Sequence, residues 1–127
     1  MKITKDTEFC ISIAASPGNF GSYIFNSTFK ELSLDFIYKP FQVLPDNLSS
    51  AILGIRALNI RGCGISMPFK TEVIKYLDKV DSTAKKIGAV NTIVNKNGIL
   101  TGYNFDVVGA EKVLEKYYPI KVKSAHI

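Results

Sequence analysis

Apolar positions along the chain fall into short runs whose spacing switches between two periods, and the switching predicts alternating strands and helices. Residues 8–15 (EFCISIAA) form a compact apolar run closed by Ser16-Pro17-Gly18, the pattern of a buried strand leading into a loop. From Ser22 to Leu32, Ile24, Phe25, Thr28, Phe29 and Leu32 recur at helical spacing, with Ser22 as the N-cap. Residues 34–43 are aromatic and β-branched with rough alternation, and Pro40 weakens the latter part of this strand or marks a sheet edge. Residues 47–58 return to helical spacing behind Asn47. Residues 60–66 (IRGCGIS) read as a short, glycine-laced central strand that another backbone or a ligand approaches closely. Thr71–Leu77 and Ser82–Ile87 have the look of two short helices. Ala89–Val94 and Ile99–Tyr103 are strands joined by Asn95-Lys96-Asn97-Gly98, a strong hairpin signal, and a last helix runs from Asp106 to Tyr118 before Pro119. This order predicts an α/β fold: a largely parallel sheet covered on both faces, with one antiparallel pair near the end.

Composition narrows the class. A chain of 127 residues suits one domain, and 46% hydrophobic with 21% charged residues excludes general disorder. No apolar run approaches the roughly 18 residues that span a membrane. The run from Phe9 to Ala15 is too short and too β-branched for a signal peptide, and Asp6 and Glu8 precede it, so the cytoplasm is the default location. Cys10 and Cys63 stand far apart in strand-like stretches and read as reduced core residues. His126 is the single histidine, too few for a zinc site or a Ser-His-Asp triad, and no metal is expected. The net charge of +5 comes from lysines spread along the chain, without an arginine-rich stripe or a nucleic-acid motif. A solvated basic surface with a mild attraction for anionic small molecules follows, and nucleic acid is not an expected partner.

Three clusters carry candidate chemistry: Arg61-Gly62-Cys63-Gly64-Ile65-Ser66-Met67-Pro68-Phe69-Lys70, Gly88-Ala89-Val90-Asn91-Thr92, and Gly98-Ile99-Leu100-Thr101-Gly102-Tyr103-Asn104-Phe105-Asp106. All fall at predicted strand ends, where open α/β sheets bind ligands. Singly, each has a bland reading: Lys70 as a surface lysine, Asp106 as a helix cap, Asn91 as a strand-edge amide. Together and in order they resemble the shikimate dehydrogenase family, with its Gly-x-Asn-Val-Thr-x-Pro-x-Lys, Gly-Ala-Val-Asn-Thr and Gly-x-x-x-Gly-x-Asn-Thr-Asp motifs. Gly88 to Thr92 matches the middle motif throughout. The last motif matches at Gly98, Gly102, Asn104 and Asp106, with Phe105 in place of threonine. The first matches at Gly62, Pro68 and Lys70, with Ser66 for threonine and Gly64 for asparagine.

The first loop departs from the family, which usually carries Ser-x-Ser-Pro-x-x-His-Asn-x-x-Phe, with the two serines on the substrate carboxylate. Anchoring on Asn26 and Phe29 puts Asn19 and Gly21 at the serine positions, Ser22 at the proline and Phe25 at the histidine; Ser16-Pro17 lies too early for that register. Asn19, Ser22 and the N–H groups of the helix start remain able to hold an anion. The arrangement looks like the divergent shikimate dehydrogenase-like branch.

The resemblance implies a three-layer αβα domain with a mostly parallel mixed sheet of about six strands, the aminoacid dehydrogenase-like fold of the family's N-terminal half. It implies reversible NADPH-dependent reduction of 3-dehydroshikimate to shikimate, on the route to chorismate and the aromatic amino acids. Lys70 would supply the proton or stabilise the alkoxide, and Asp106 would orient it. Asn91, Asn104 and Ser66 would bind ring hydroxyls. Residues 1–122 would form this substrate-binding domain. Lys123 to Ile127 reads as the first strand of an NADP-binding Rossmann domain that is cut short; no Gly-x-Gly-x-x-Gly occurs in the chain, so NADP is expected on the absent domain and the fragment alone should be inactive. Domains of this architecture can pair, which leaves a homodimer open. The alternative is a non-catalytic binding module for a shikimate- or quinate-like acid.

Overall fold

The computed structural model describes residues 2–106. The predicted helix beyond Asp106, the short segment 123–127 and His126 lie outside the described residues. Within them the order is β1 (Glu8–Ala14), α1 (Phe20–Glu31), β2 (Phe36–Gln42), α2 (Leu48–Ala57), β3 (Gly62–Ile65), β4 (Lys79–Val80), α3 (Ser82–Ile87), β5 (Thr92–Lys96) and β6 (Ile99–Tyr103). Helix α1 begins at Phe20 behind Asn19, before the predicted cap Ser22, and has no side-chain cap. The predicted helix 71–77 is a 3-10 turn, Glu72–Tyr76, and a two-residue strand, β4, follows it. Helix α3 is capped by Asp81, which accepts from the Thr83 N–H at 3.1 Å, and ends on Gly88 in the left-handed region at φ 79°.

The six strands form one sheet in the order β2-β1-β3-β5-β6-β4. Pairs β1–β2, β1–β3 and β4–β6 are parallel, whereas β5 runs against both β3 and β6. The single reversed strand is therefore inserted in mid-sheet, and it makes two antiparallel pairings where the sequence predicts one. The β5–β6 turn is Asn97-Gly98, both with positive φ (54° and 86°), as a right-twisting two-residue hairpin requires. Pro40 sits on β2, an edge strand, where its missing N–H costs no ladder bond.

Side-chain alternation gives the sheet two unequal faces. Ile11, Ile13, Cys63, Ile65, Ile93 and Leu100 pack on one side with Leu48, Ile52 and Ile55 of α2, and with Phe69, Val73, Ala84 and Val90. Burial of each large aliphatic here contributes about 1.5–3 kcal/mol. The register Cys10↔Tyr38, Cys10↔Gly62 and Ser12↔Gly64 turns small and polar residues to the other side. Helix α1 lies over part of that side through Phe25–Tyr38 and Phe29–Phe36 ring contacts at 4.9 and 5.3 Å. At the far edge, the Leu100 N–H and the Arg56 guanidinium both donate to Asp78, holding its carboxyl below the usual range.

Strand β6 comes so close to the packed layer that a Cβ on Gly102 would stand 2.5 Å from Leu77 Cδ1 and 2.8 Å from a Val90 methyl. A Cβ on Gly54, inside α2, would meet nothing within 4 Å. The same substitution is thus expected to act with opposite signs. In urea unfolding, Gly102→Ala should destabilise by about 1–3 kcal/mol through overpacking. Gly54→Ala should stabilise by about 0.5–1 kcal/mol through helix propensity. A neutral Gly102→Ala would contradict the close approach.

Candidate active site

The loops leaving β1, β3 and β6 and the residue entering β5 meet at one end of the strands, because β5 is reversed and presents its start where its neighbours end. They enclose an open cleft of ≈ 400 Å³ lined by Ser12, Ser16, Gly18, Gly21, Tyr38, Gly64, Ser66, Lys70, Asn91 and Asp106, among others. Gly64 of β3 and Ser12 of β1 line it from the sheet.

Lys70 is set by the backbone around it. The Ser66 N–H donates to Ile13 O at 3.0 Å, the Phe69 N–H to Ser66 O at 3.0 Å, and the Val90 N–H to Lys70 O at 2.8 Å. Phe69, 1% exposed, anchors the turn in the core and leaves the following side chain to the cleft. Lys70 Nζ donates to Asp106 Oδ2 at 3.2 Å. The lysine side chain is 33% exposed and the aspartate 64%, so this is an ion pair at the cleft wall and not a buried one. Such pairs contribute about 0–1 kcal/mol to stability. The two charges cancel, which leaves the rest of the lining neutral.

Two asparagines hold the wall in place. Asn91 Oδ1 accepts from the Phe105 N–H at 3.1 Å and from Thr92 Oγ1 at 3.0 Å, which fixes the amide orientation. Its Nδ2 has no protein acceptor among the described residues and is free for a ligand in the cleft that Asn91 lines. Asn104 is 6% exposed and spends both ends on backbone: Oδ1 accepts from the Asp106 N–H at 3.1 Å and Nδ2 donates to Ala89 O at 3.1 Å. It ties the Asp106 turn to the segment before β5.

Of the residues singled out from sequence, Lys70, Asp106, Ser66 and Asn91 come together around the cleft. Asn104 stands behind them as a strut. Asn19 and Ser22 are not among the lining residues, and the Ser22 hydroxyl accepts from Asn26 Nδ2 at 3.2 Å. Sequence reasoning did not single out Ser12 or Tyr38, and it set Ser16 aside as too early in the loop. Ser12 could have been found from alternation, because it shares a face with the glycines of β3; Tyr38 depends on the β1–β2 register, which no local pattern reveals.

Comparison with known proteins agrees with this geometry. A family profile described as "Shikimate dehydrogenase substrate binding domain" matches residues 12–93. A shikimate dehydrogenase-like protein of Haemophilus influenzae is 46% identical over 116 residues, covering 91% of this chain and 42% of that protein. A shikimate dehydrogenase (NADP(+)) of Methanobrevibacter smithii is 48% identical over 106 residues, covering 84% of this chain and 37% of that protein. The solved shikimate 5-dehydrogenase of Listeria monocytogenes, in complex with shikimate and NAD, superposes with a TM-score of 0.84 at 38% identity, covering 91% of this chain and 40% of that one. The chain thus spans about two fifths of the length of the relatives it matches.

Removing the Asn104 amide would leave a buried carbonyl and the Asp106 N–H without their partners. Asn104→Ala is expected to cost about 1–3 kcal/mol in chemical denaturation. It should also shift the amide resonances of Ala89 and Asp106. Unchanged stability together with unchanged resonances would remove its role as a strut.

Proposed function

We propose that this chain, which belongs to the shikimate dehydrogenase substrate binding domain family, holds the substrate and handles the proton in an enzyme that interconverts 3-dehydroshikimate and shikimate. The observation that carries this reading is the Lys70–Asp106 contact at 3.2 Å, set on the wall of a cleft that Ser66 and Asn91 also line. When a ring ketone becomes an alcohol, negative charge grows on its oxygen and a proton must reach it. An ammonium on the cleft wall serves both needs: Lys70 Nζ donates to the oxygen and passes the proton as the alkoxide forms. Asp106 keeps the ammonium aimed and accepts a hydrogen bond from the product hydroxyl. General acid–base help of this kind contributes about 10²–10⁴-fold. Asn91 Nδ2 and the Ser66 hydroxyl bind ring hydroxyls. Asn104 acts one step back, by fixing the turn that carries Asp106.

The Methanobrevibacter smithii relative is named for NADP(+), and NADP is the cofactor we assign to the whole protein. The described residues do not fit a dinucleotide. Gly62 and Gly64 lie flat within β3 between β1 and β5, and not in a strand-to-helix turn that could cradle phosphates. No cofactor contact is assigned to this chain. Among the described residues no helix is long and apolar enough to cross a membrane. Cys10 and Cys63 are both free thiols, which fits a reducing compartment, and we assign the protein to the cytoplasm.

The decisive comparison is Lys70→Ala in the whole protein, with turnover and shikimate affinity measured separately. Turnover should fall by about 10²–10⁴-fold, with a much smaller change in Kd. Equal losses in the two would make Lys70 a binding residue and favour a module that holds a shikimate- or quinate-like acid without chemistry. In the chain alone, shikimate should shift the amides of Ser66, Met67, Phe69, Lys70, Asn91 and Asp106 saturably, and Asp106→Ala should abolish those shifts.

A further inference from the structure

We infer that the outer edge of β2 is a closed interaction surface: Asn26, Pro40 and Lys39 together prevent it from pairing with the β2 edge of a second copy of this chain. The inference stands independently of the function proposed above. A six-stranded open sheet has two edges, and each offers unpaired N–H and C=O groups to any extended chain that meets it. At one edge β4 is only two residues long, too short to act as a template. At the other, β2 runs for seven residues, Phe36–Gln42. It carries Phe36, Ile37, Tyr38 and Phe41, the composition of a segment that adds strands readily, interrupted only by Pro40. Two copies meeting there would pair symmetrically, each β2 edge against the other.

The main-chain groups of β2 divide between its two sides. The Glu8 N–H donates to Asp35 O and the Val43 N–H to Ala14 O, both at 2.9 Å, so the parallel ladder with β1 uses the odd-numbered positions of this stretch. The even-numbered residues face outward, and Tyr38 and Pro40 stand in the middle of that outer row. One side chain takes both groups of Tyr38: Asn26 Oδ1 accepts from its N–H at 2.8 Å, and Asn26 Nδ2 donates to its carbonyl at 2.9 Å. A neighbouring strand would make the same two bonds, so the amide from α1 occupies that strand's place. Pro40 has no N–H to offer. Its carbonyl accepts from Lys39 Nζ at 3.3 Å, and the same ammonium lies 4.0 Å from the centre of the Phe41 ring. A strand arriving here would have to strip the ammonium from both and set its own backbone against a lysine. Neither residue is left with a free donor. Tyr38 also lines the candidate site, so the clamp that closes the edge fixes a wall of the cleft as well.

The test opens the edge in the full chain and measures self-association by sedimentation velocity over a concentration series, with amide hydrogen exchange on the same samples. Asn26→Leu frees both groups of Tyr38, and Pro40→Thr restores a donor at the next outward position. The double variant should associate roughly ten- to a hundredfold more tightly than the wild type, as several main-chain groups find partners in the other copy. The amides at positions 38 and 40 should gain protection as concentration rises, while the inward amide at position 39 should not. Gly102→Ala, which loosens the packed layer far from β2, serves as the control for lost stability and should associate as the wild type does. A double variant that keeps the wild-type circular dichroism and gains no association would overturn the inference. So would association without protection at positions 38 and 40, or association matched by Gly102→Ala. Should Asn26→Leu unfold α1, Pro40→Thr alone decides: a gain in association with a protected amide at position 40 supports the closed edge, and no gain overturns it.

Discussion

A chain that leaves a sheet takes its backbone N–H and C=O groups out of the ladder, and buried groups without partners cost about 1–3 kcal/mol each. In this domain asparagine side chains supply several of those partners. Asn26 pairs both polar groups of Tyr38 on the open side of edge strand β2. Asn95, 2% exposed, accepts from the Gly98 N–H and donates to Ile55 O, joining the hairpin to α2. Asn91 and Asn104 satisfy the backbone of Phe105, Asp106 and Ala89. A short planar amide is suited to this, since it carries an acceptor and a donor on a stem with few rotamers to freeze. Each of the four ties two segments distant in sequence, so the cleft wall is fixed without a disulfide or a metal among the described residues.

The unequal faces of the sheet divide labour along the same lines. The aliphatic face supplies the core and, through Phe69, the anchor for the turn that presents Lys70. The small-residue face has too little bulk to fill the space above it, and that unfilled space is the cleft. The exposed Lys70–Asp106 pair adds little to folding, which separates its role from that of the buried amides behind it. The exposed pair and the buried amide of Asn104 behind it thus contribute unequally to folding.

The strand and helix alternation was legible in the sequence because the period of apolar positions changes sharply at each boundary, and the Asn97-Gly98 turn because few residue pairs tolerate two positive φ angles. Lys70, Asp106, Ser66 and Asn91 were legible because they stand at strand ends within spaced motifs. What escaped is tertiary. Strand β4 is two residues long and exists only through its pairing with β6, and the reversed strand β5 enters mid-sheet by a register that local pattern does not encode. Asn104 shows the limit of motif reading in another way: its position in the motif is plain, but its amide is used up on backbone, a fact of geometry and not of residue type.

The same limit explains the first loop. Read along the chain, replacement of hydroxyls by Asn19 and Gly21 looks like a loss of binding groups. Read across the sheet, Gly21 is one half of a packed pair whose other half, Tyr38, lies seventeen positions downstream (38 − 21). The shape of the cleft at this end is then governed by how α1 docks on β2 through Asn26, Phe25 and Gly21. Substitutions along α1 that do not line the cleft are then in a position to change its shape.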